Sequence, residues 1–397
     1  MRALAEGRIG VEDAFSNHVG RCLGCRACET ACPAGVRYGT LLEKAREYTL
    51  NESVGGRFVD FTLESLTGRR TSRLAYGLAR LLRTFRVAEF GARFVPGRTG
   101  LASGMLAATR PSIGRTGRVD PEPPSGPLPA PTAETYALLE GCVMSGLYSH
   151  VHDATRRTLR RRGHIERSAT GQECCGALHA HAGRLDAARA LARKNIESFE
   201  RSGAEIIVTD SAGCGAAMRD YPEWLRAEPD WHRRAETLAG RVRDISELIA
   251  DTADPASVTG AGPRVADAGP RVAYDAPCHL LHAQGIRDAP LQALAASGYR
   301  VEPLPSWERC CGGAGLYNLH QPELSDRILE RKLEEIREGD YDMVATGNPG
   351  CMMFLGAGLR RAGLDVTVVH PVELVDAADG NVERRGEYRV TEPRSAD

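Results

Sequence analysis

The sequence predicts an α/β protein in which a small helical module with four clustered cysteines precedes two copies of one α/β unit. Two observations predict it. Cys142, Cys174, Cys175 and Cys214 recur as Cys278, Cys310, Cys311 and Cys351 at offsets of 136, 136, 136 and 137 residues, and self-similarity of that fidelity marks a duplication. Within each copy, β-prone stretches alternate with helically spaced apolar residues, the order that builds a parallel sheet.

Length and composition agree with this division. A chain of 397 residues is too long for one ordinary core. No apolar run is long enough to span a bilayer. Lys and Arg number 51 against 52 Asp and Glu, so no overall field draws nucleic acid. The N-terminus MRALAEGRIG lacks the apolar stretch of a signal peptide. The chain therefore reads as cytoplasmic, where clustered thiols are metal ligands or redox groups rather than staples.

The N-terminal module, residues 1–50, centres on RCLGCRACETACP. Cys22, Cys25, Cys28 and Cys32 followed by Pro33 make a C-x2-C-x2-C-x3-C-P run, the spacing of a bacterial ferredoxin motif for a 4Fe-4S cluster. Short intervals let one loop wrap its sulfurs around a cube while the intervening amides point at sulfur. Zinc is the alternative, although it usually takes two well-separated cysteine pairs. Pro33 is expected to stop the last turn.

Residues 51–109 form a helical, Arg-rich segment. From Thr67 to Arg118 there are eleven arginines, among them Arg69, Arg70, Arg73, Arg80, Arg83 and Arg86, against the single acid Glu89. Leu74, Leu78, Leu81, Leu82 and Phe85 recur at helical intervals between them. Such a helix suits a partner subunit or an anionic membrane surface; the plainer reading is a solvated cationic face over an ordinary core. A Pro-rich linker, 110–131, follows.

The first copy spans 132–250 and the second 271–380, with a Gly, Ala and Pro-rich linker at 251–270 and a polar tail at 381–397. Thr135 to Cys142 and Arg271 to Cys278 read as strands delivering a cysteine at their ends. Leu185, Ala188, Leu191, Ile196 and Phe199, and then Leu324, Ile328 and Ile336, predict one helix per copy, stopped at Gly203 and Gly339. Ile206 to Cys214 and Met343 to Cys351 are apolar runs that break into Gly-containing turns. In a parallel sheet the cysteines collect at the strands' carboxyl ends, near helix N-termini that favour thiolate. Buried structural thiols and a vicinal disulfide at Cys174 and Cys175 are the alternatives. His279 and His282 stand beside Cys278 as proton carriers or ligands; His179, His181 and His370 have weaker claims. No phosphate-binding glycine loop is present, so no flavin is expected on this chain.

The cysteine run followed by two Cys...CCG...Cys repeats resembles the iron-sulfur subunit of glycolate oxidase, a flavin-dependent glycolate dehydrogenase complex. RCLGCRACETACPAGVRYG is similar to that family's second ferredoxin motif, and MRALAEGRI looks like the connector after a first motif that this sequence lacks. The repeats resemble CCG domains also found in heterodisulfide reductase, lactate-utilisation proteins and the anaerobic glycerol-3-phosphate dehydrogenase. The resemblance implies an electron-transfer subunit carrying 4Fe-4S clusters, two being typical of the family, with Cys22, Cys25, Cys28 and Cys32 as ligands and the eight repeat cysteines as second redox or metal sites. It implies an FAD-binding flavoprotein partner, a quinone or other acceptor, and association with the inner face of the membrane through partners. Heterodisulfide-reductase-type repeats end in C-x2-C, whereas here Ser211 and Asn348 replace the first of those cysteines. A hard serine oxygen suits iron poorly.

Overall fold

The computed structural model describes residues 1–8, 10, 13–50, 56–68, 71–111, 134–251, 270–297 and 299–379. Most of the two expected linkers, the tail 381–397, Arg69 and Arg70 lie outside the described residues. Among the described residues eight helices precede the first strand: α1 (Arg2–Ala5), α2 (Asp13–Gly20), α3 (Ala27–Thr30), α4 (Tyr38–Leu50), α5 (Gly56–Thr67), α6 (Thr71–Thr84), α7 (Val87–Phe94) and α8 (Gly97–Ala107). α3 ends at Thr30, ahead of Pro33, so the proline follows the helix stop rather than causing it.

The first copy runs β1 (Thr135–Leu138), α9 (Val143–Leu147), α10 (Ser149–Arg161), β2 (Ile165–Glu166), α11 (Ala177–His181), α12 (Leu185–Ser202), β3 (Ile206–Thr209), α13 (Ala212–Trp224), α14 (Pro229–Ala239), β4 (Val242–Asp244) and α15 (Ile245–Asp251). The second runs β5 (Arg271–Tyr274), a π-helical turn (His279–Ala283), α16 (Ala289–Ala296), β6 (Arg300–Pro303), α17 (Tyr317–His320), α18 (Pro322–Gly339), β7 (Met343–Ala345), α19 (Pro349–Arg361), β8 (Thr367–Val369) and α20 (Pro371–Asp379). Each copy holds a four-stranded parallel sheet, ordered β2-β1-β3-β4 and β6-β5-β7-β8. The duplication therefore extends to sheet topology.

In both copies the two central strands are the ones the sequence marks as apolar, and every residue of β3 is buried. The outer strands escape that reading because they are short or carry charge, as in Ile-Glu, Val-Arg-Asp and Arg-Val-Glu-Pro. α12 ends as expected at Gly203, whose φ of 63° suits a left-handed cap. In the second copy Gly339 is the last helical residue, and Asp340 takes the left-handed conformation at φ 50°. Aspartate can do this because its short polar side chain tolerates that region.

The copies share one apolar core that includes Leu138 and Val208 of the first and Ala273, Val344 and Phe354 of the second. Polar ties cross the same seam: Arg157 donates to both oxygens of Asp376, and Ala212 N donates to Gly347 O at 3.0 Å.

The Arg-rich helix is inverted relative to an ordinary amphipathic helix. Tyr76 packs inward over Gly146, where an added Cβ would lie 2.6 Å from its ring. Arg80 donates to Gly146 O at 2.7 Å, and Arg83 donates to Thr109 O at 2.7 Å and Leu147 O at 3.1 Å. Leu74, Leu78, Leu81 and Phe85 occupy the opposite stripe and are exposed, Leu74 at 77%. Val87, Phe90 and Phe94 of α7 face solvent as well. The apolar stripe therefore does not pack on a core; Tyr76 is buried instead, and exposed Arg80 and half-buried Arg83 reach carbonyl oxygens of residues 145–147.

A candidate redox site built from three cysteine sets

The N-terminal run folds as a loop with three left-handed residues, Gly24 at φ 69°, Arg26 at 64° and Gly35 at 62°. These reversals turn backbone amides toward sulfur. Gly24 N donates to Cys22 Sγ at 3.4 Å. Ala27 N–H bonds Cys25, the amides of Cys28 and Glu29 bond Cys28, and those of Val36, Ala34 and Gly35 bond Cys32. Donors from Val36, Ala34 and Gly35 bring the Cys32 thiol below its usual range, whereas burial raises Cys25 and Cys28. Four soft sulfurs, each met by N–H groups, fit an iron-sulfur cluster, whose sulfurs need such donors.

Arg26 anchors this loop. It bonds Glu29 at 3.0 Å and Asp220 of α13 at 2.5 Å, with only 9% of its side chain exposed. Arg46 donates to Cys22 O and to His181 O, and Tyr317 donates to Arg21 O at 2.9 Å. The loop thus sits where both copies meet the N-terminal helices.

In the first copy the sulfurs contact one another in chain order, Cys142 to Cys174, Cys174 to Cys175 and Cys175 to Cys214. The Cys142–Cys174 separation is 3.4 Å. The second copy repeats the order through Cys278, Cys310, Cys311 and Cys351. All twelve cysteines are free, so no vicinal disulfide is present. Among the described residues no three His, Cys, Asp or Glu side chains are grouped to hold a single metal ion; a cluster, with several irons and sulfides at its centre, asks for a wider set.

Cys142 and Cys278 lie just beyond the ends of β1 and β5, as the sequence reading expects. Cys214 and Cys351 lie inside the first turns of α13 and α19, not in turns ahead of them. Hydrogen bonds from Cys142 and Cys175 hold the Cys174 thiol well below its usual range. In the second copy two thiols are lowered: Cys278 by Cys310 and His279, and Cys311 by Cys310, Cys351, the Gly313 amide and Lys332.

The histidines divide unevenly. His279 Nδ1 stands 3.7 Å from Cys278 Sγ, and its ring stacks on His181 at 5.0 Å. His179, given little weight from sequence, lies near enough to Cys174 to help lower its thiol, with Nε2 3.5 Å from Thr67 Oγ1. His282 instead bonds Thr30 and Glu308 O. His370 stands apart from the thiols, in the seam beside Asp210.

Sequence reasoning overlooks several neighbours of the sulfurs. Tyr76, whose hydroxyl donates to Leu66 O at 2.9 Å, lies beside Cys142, and Tyr221 donates to Cys175 O at 2.9 Å. Buried Lys332 pairs with Asp275 at 2.5 Å. A lysine inside the apolar pattern of α18 is the one signal that could have found this pair. Asn348, in the place of the missing cysteine, donates to Cys351 Sγ at 3.6 Å and accepts from Gly213 N at 3.2 Å. Ser211 caps α13 in extended conformation without a side-chain bond to the helix.

Comparison with known proteins agrees with this architecture. The CCG cysteine-rich domain family matches residues 136–219 and 272–356. The probable glycolate oxidase iron-sulfur subunit of Bacillus subtilis is 29% identical over 96% of this chain and 87% of its own length. The glycolate oxidase iron-sulfur subunit of Escherichia coli is 28% identical, covering 91% and 82%. Lactate utilization protein A of Oceanobacillus iheyensis is 30% identical over 60% of this chain and 96% of its own length. The chain belongs to the family of cysteine-rich iron-sulfur subunits of oxidoreductases that includes the glycolate oxidase iron-sulfur subunit and lactate utilization protein A.

Proposed function

We propose that the chain is the electron-transfer subunit of a flavin-dependent 2-hydroxy-acid dehydrogenase, with glycolate oxidised to glyoxylate as the leading reaction. The observation that carries this reading is the N-terminal loop, in which every sulfur of a ferredoxin-spaced run meets a backbone N–H. Cys22, Cys25, Cys28 and Cys32 hold one 4Fe-4S cluster, and each repeat's four cysteines hold a further redox group. A flavoprotein partner takes the hydride equivalent from the hydroxy acid. Cys22, Cys25, Cys28 and Cys32 would hold a group able to take those electrons singly on their way to a quinone or another acceptor, while the protein sets its potential and excludes water. The isolated chain does not act on glycolate. The same division of labour serves lactate or glycerol 3-phosphate with another flavoprotein.

The outward apolar stripe of α6 and α7 supports a docking role, against a partner subunit or the membrane surface. No helix among the described residues is long and apolar enough to cross a membrane. The boundaries proposed for the parts are 1–50, 51–109, 132–250 and 271–380.

Anaerobic purification with assay of iron and acid-labile sulfide tests the reading. Cys25→Ser is expected to lose the iron of one cluster while the chain stays folded. Well-folded wild-type protein without iron would refute the proposal. Cluster reduction by glycolate in the presence of the flavoprotein supports the substrate assignment, and reduction by lactate or glycerol 3-phosphate alone overturns it. Disulfide reductase activity in the isolated chain would favour the heterodisulfide-reductase-like alternative.

A further inference from the structure

The two copies differ at the positions that back their paired cysteines. α12 and α18 each contain 18 residues, and Asn195 and Lys332 occupy the same position, the eleventh, in each. Leu139 and Asp275 likewise correspond as the residues following β1 and β5. In the first copy the pair is neutral: Asn195 donates to Cys174 O and to the Tyr221 hydroxyl, both at 3.0 Å, beside buried Leu139. In the second it is charged: Lys332, 1% exposed, donates to Asp275 and to Ser306 O, both at 2.5 Å. A buried ion pair costs desolvation that an apolar or amide pair avoids, so its presence at this position in only one copy asks for a reason.

The N-terminal loop touches both copies, but its sulfurs approach those of the second. Cys25 lies close enough to Cys278 for their charges to interact, and Tyr317, which donates to Arg21 O at 2.9 Å, does the same with both Cys22 and Cys310. Thr30 bonds His282 at 3.0 Å, from α3 to the π-helical turn after Cys278. On the first copy the module's bonds reach Asp220 of α13 and His181 O of α11 rather than a cysteine.

We infer that the copies are not redox-equivalent: the second, backed by the Lys332–Asp275 pair and approached by the sulfurs of the N-terminal loop, exchanges electrons with the group on Cys22, Cys25, Cys28 and Cys32, and the first does not do so directly. The inference rests on the reading of that run as a cluster site. In the exchange one electron would leave the group held by Cys22, Cys25, Cys28 and Cys32 and one would enter the redox group held by Cys278, Cys310, Cys311 and Cys351; no bond is made or broken. Lys332 is a positioning residue for charge, since its ammonium group favours the more negative, reduced state.

The test is an anaerobic reductive titration of the iron-loaded full chain, followed by electron paramagnetic resonance. It is run at about pH 8.5, above the Asp275 value of about 7. Magnetic coupling of the N-terminal signal to a neighbour is expected to vanish in Cys278→Ser and persist in Cys142→Ser. Asp275→Asn, which leaves Lys332 unopposed, is expected to move that neighbour to a higher midpoint potential. Asp275→Asn/Lys332→Gln should return it toward wild type. Coupling lost in Cys142→Ser but kept in Cys278→Ser, or a midpoint unmoved by Asp275→Asn, overturns the inference. Should Asp275→Asn not fold, the two cysteine variants decide alone. Iron-free wild-type protein refutes the cluster reading itself; iron with an uncoupled N-terminal signal refutes only this inference.

Discussion

Glu373 accepts from His370 N at 2.9 Å, lies 3.4 Å from His150, and is buried deeply enough that its carboxyl is pushed up to about 7. A folded-state value above the unfolded one means that the fold holds the proton more tightly. Stability from this group is complete below about pH 4.5 and is lost as pH rises through about 7. Glu373→Gln keeps an acceptor for His370 N and removes the cost of ionisation. It should leave thermal stability nearly unchanged at about pH 4.5 and raise it at pH 8 by up to roughly 3 kcal/mol. Melting curves at the two pH values check the difference; an equal gain at both would contradict it. The sequence hides this residue because Glu373 reads as an ordinary first-turn acid of a helix. Its burial depends on α10, which lies more than two hundred residues earlier in the chain.

At the scale of the element, α6 shows how a correct periodicity can be misassigned to a face. The leucine spacing is legible and the helix forms where expected. Which side turns inward depends on carbonyl oxygens of residues 145–147, supplied by the first copy. The exposed stripe carries no packing load, so Leu78→Asp/Leu81→Asp should change folding stability by less than about 0.5 kcal/mol. The same variant should weaken capture of the flavoprotein or of anionic vesicles, measured by co-purification and sedimentation. A large drop in melting temperature would mean that the stripe is structural after all.

Across the whole molecule, the N-terminal loop is held to the repeats by a few charged contacts at a shared corner. Arg26 reaches Asp220, which Arg37 also bonds at 3.0 Å, and burial keeps the Asp220 carboxyl above its usual range despite both cations. Arg26→Met strands that carboxylate with one exposed partner and should loosen the loop by roughly 3 kcal/mol. Hydrogen exchange should then rise over residues 20–50 and stay unchanged in β1, β3, β5 and β7. Arg26→Met/Asp220→Asn should lose less than the single variant, because no buried charge is left unpaired; additive losses would count against the clamp.

The sequence by itself determined the duplication, the central strands, the long helix of each copy and the membership of all twelve thiols in three sets. Those features reside in local periodicity and in spacing along the chain, which survive without knowledge of contacts. Only the tertiary structure decided that Arg80 and Arg83 reach carbonyl oxygens of the first copy, that Lys332 and Asp275 meet behind one copy's sulfurs, and that Thr30 of the N-terminal module bonds His282 in the turn after Cys278. Each of these joins residues far apart in the chain, and whether a charged side chain is buried depends on the partner that arrives to meet it.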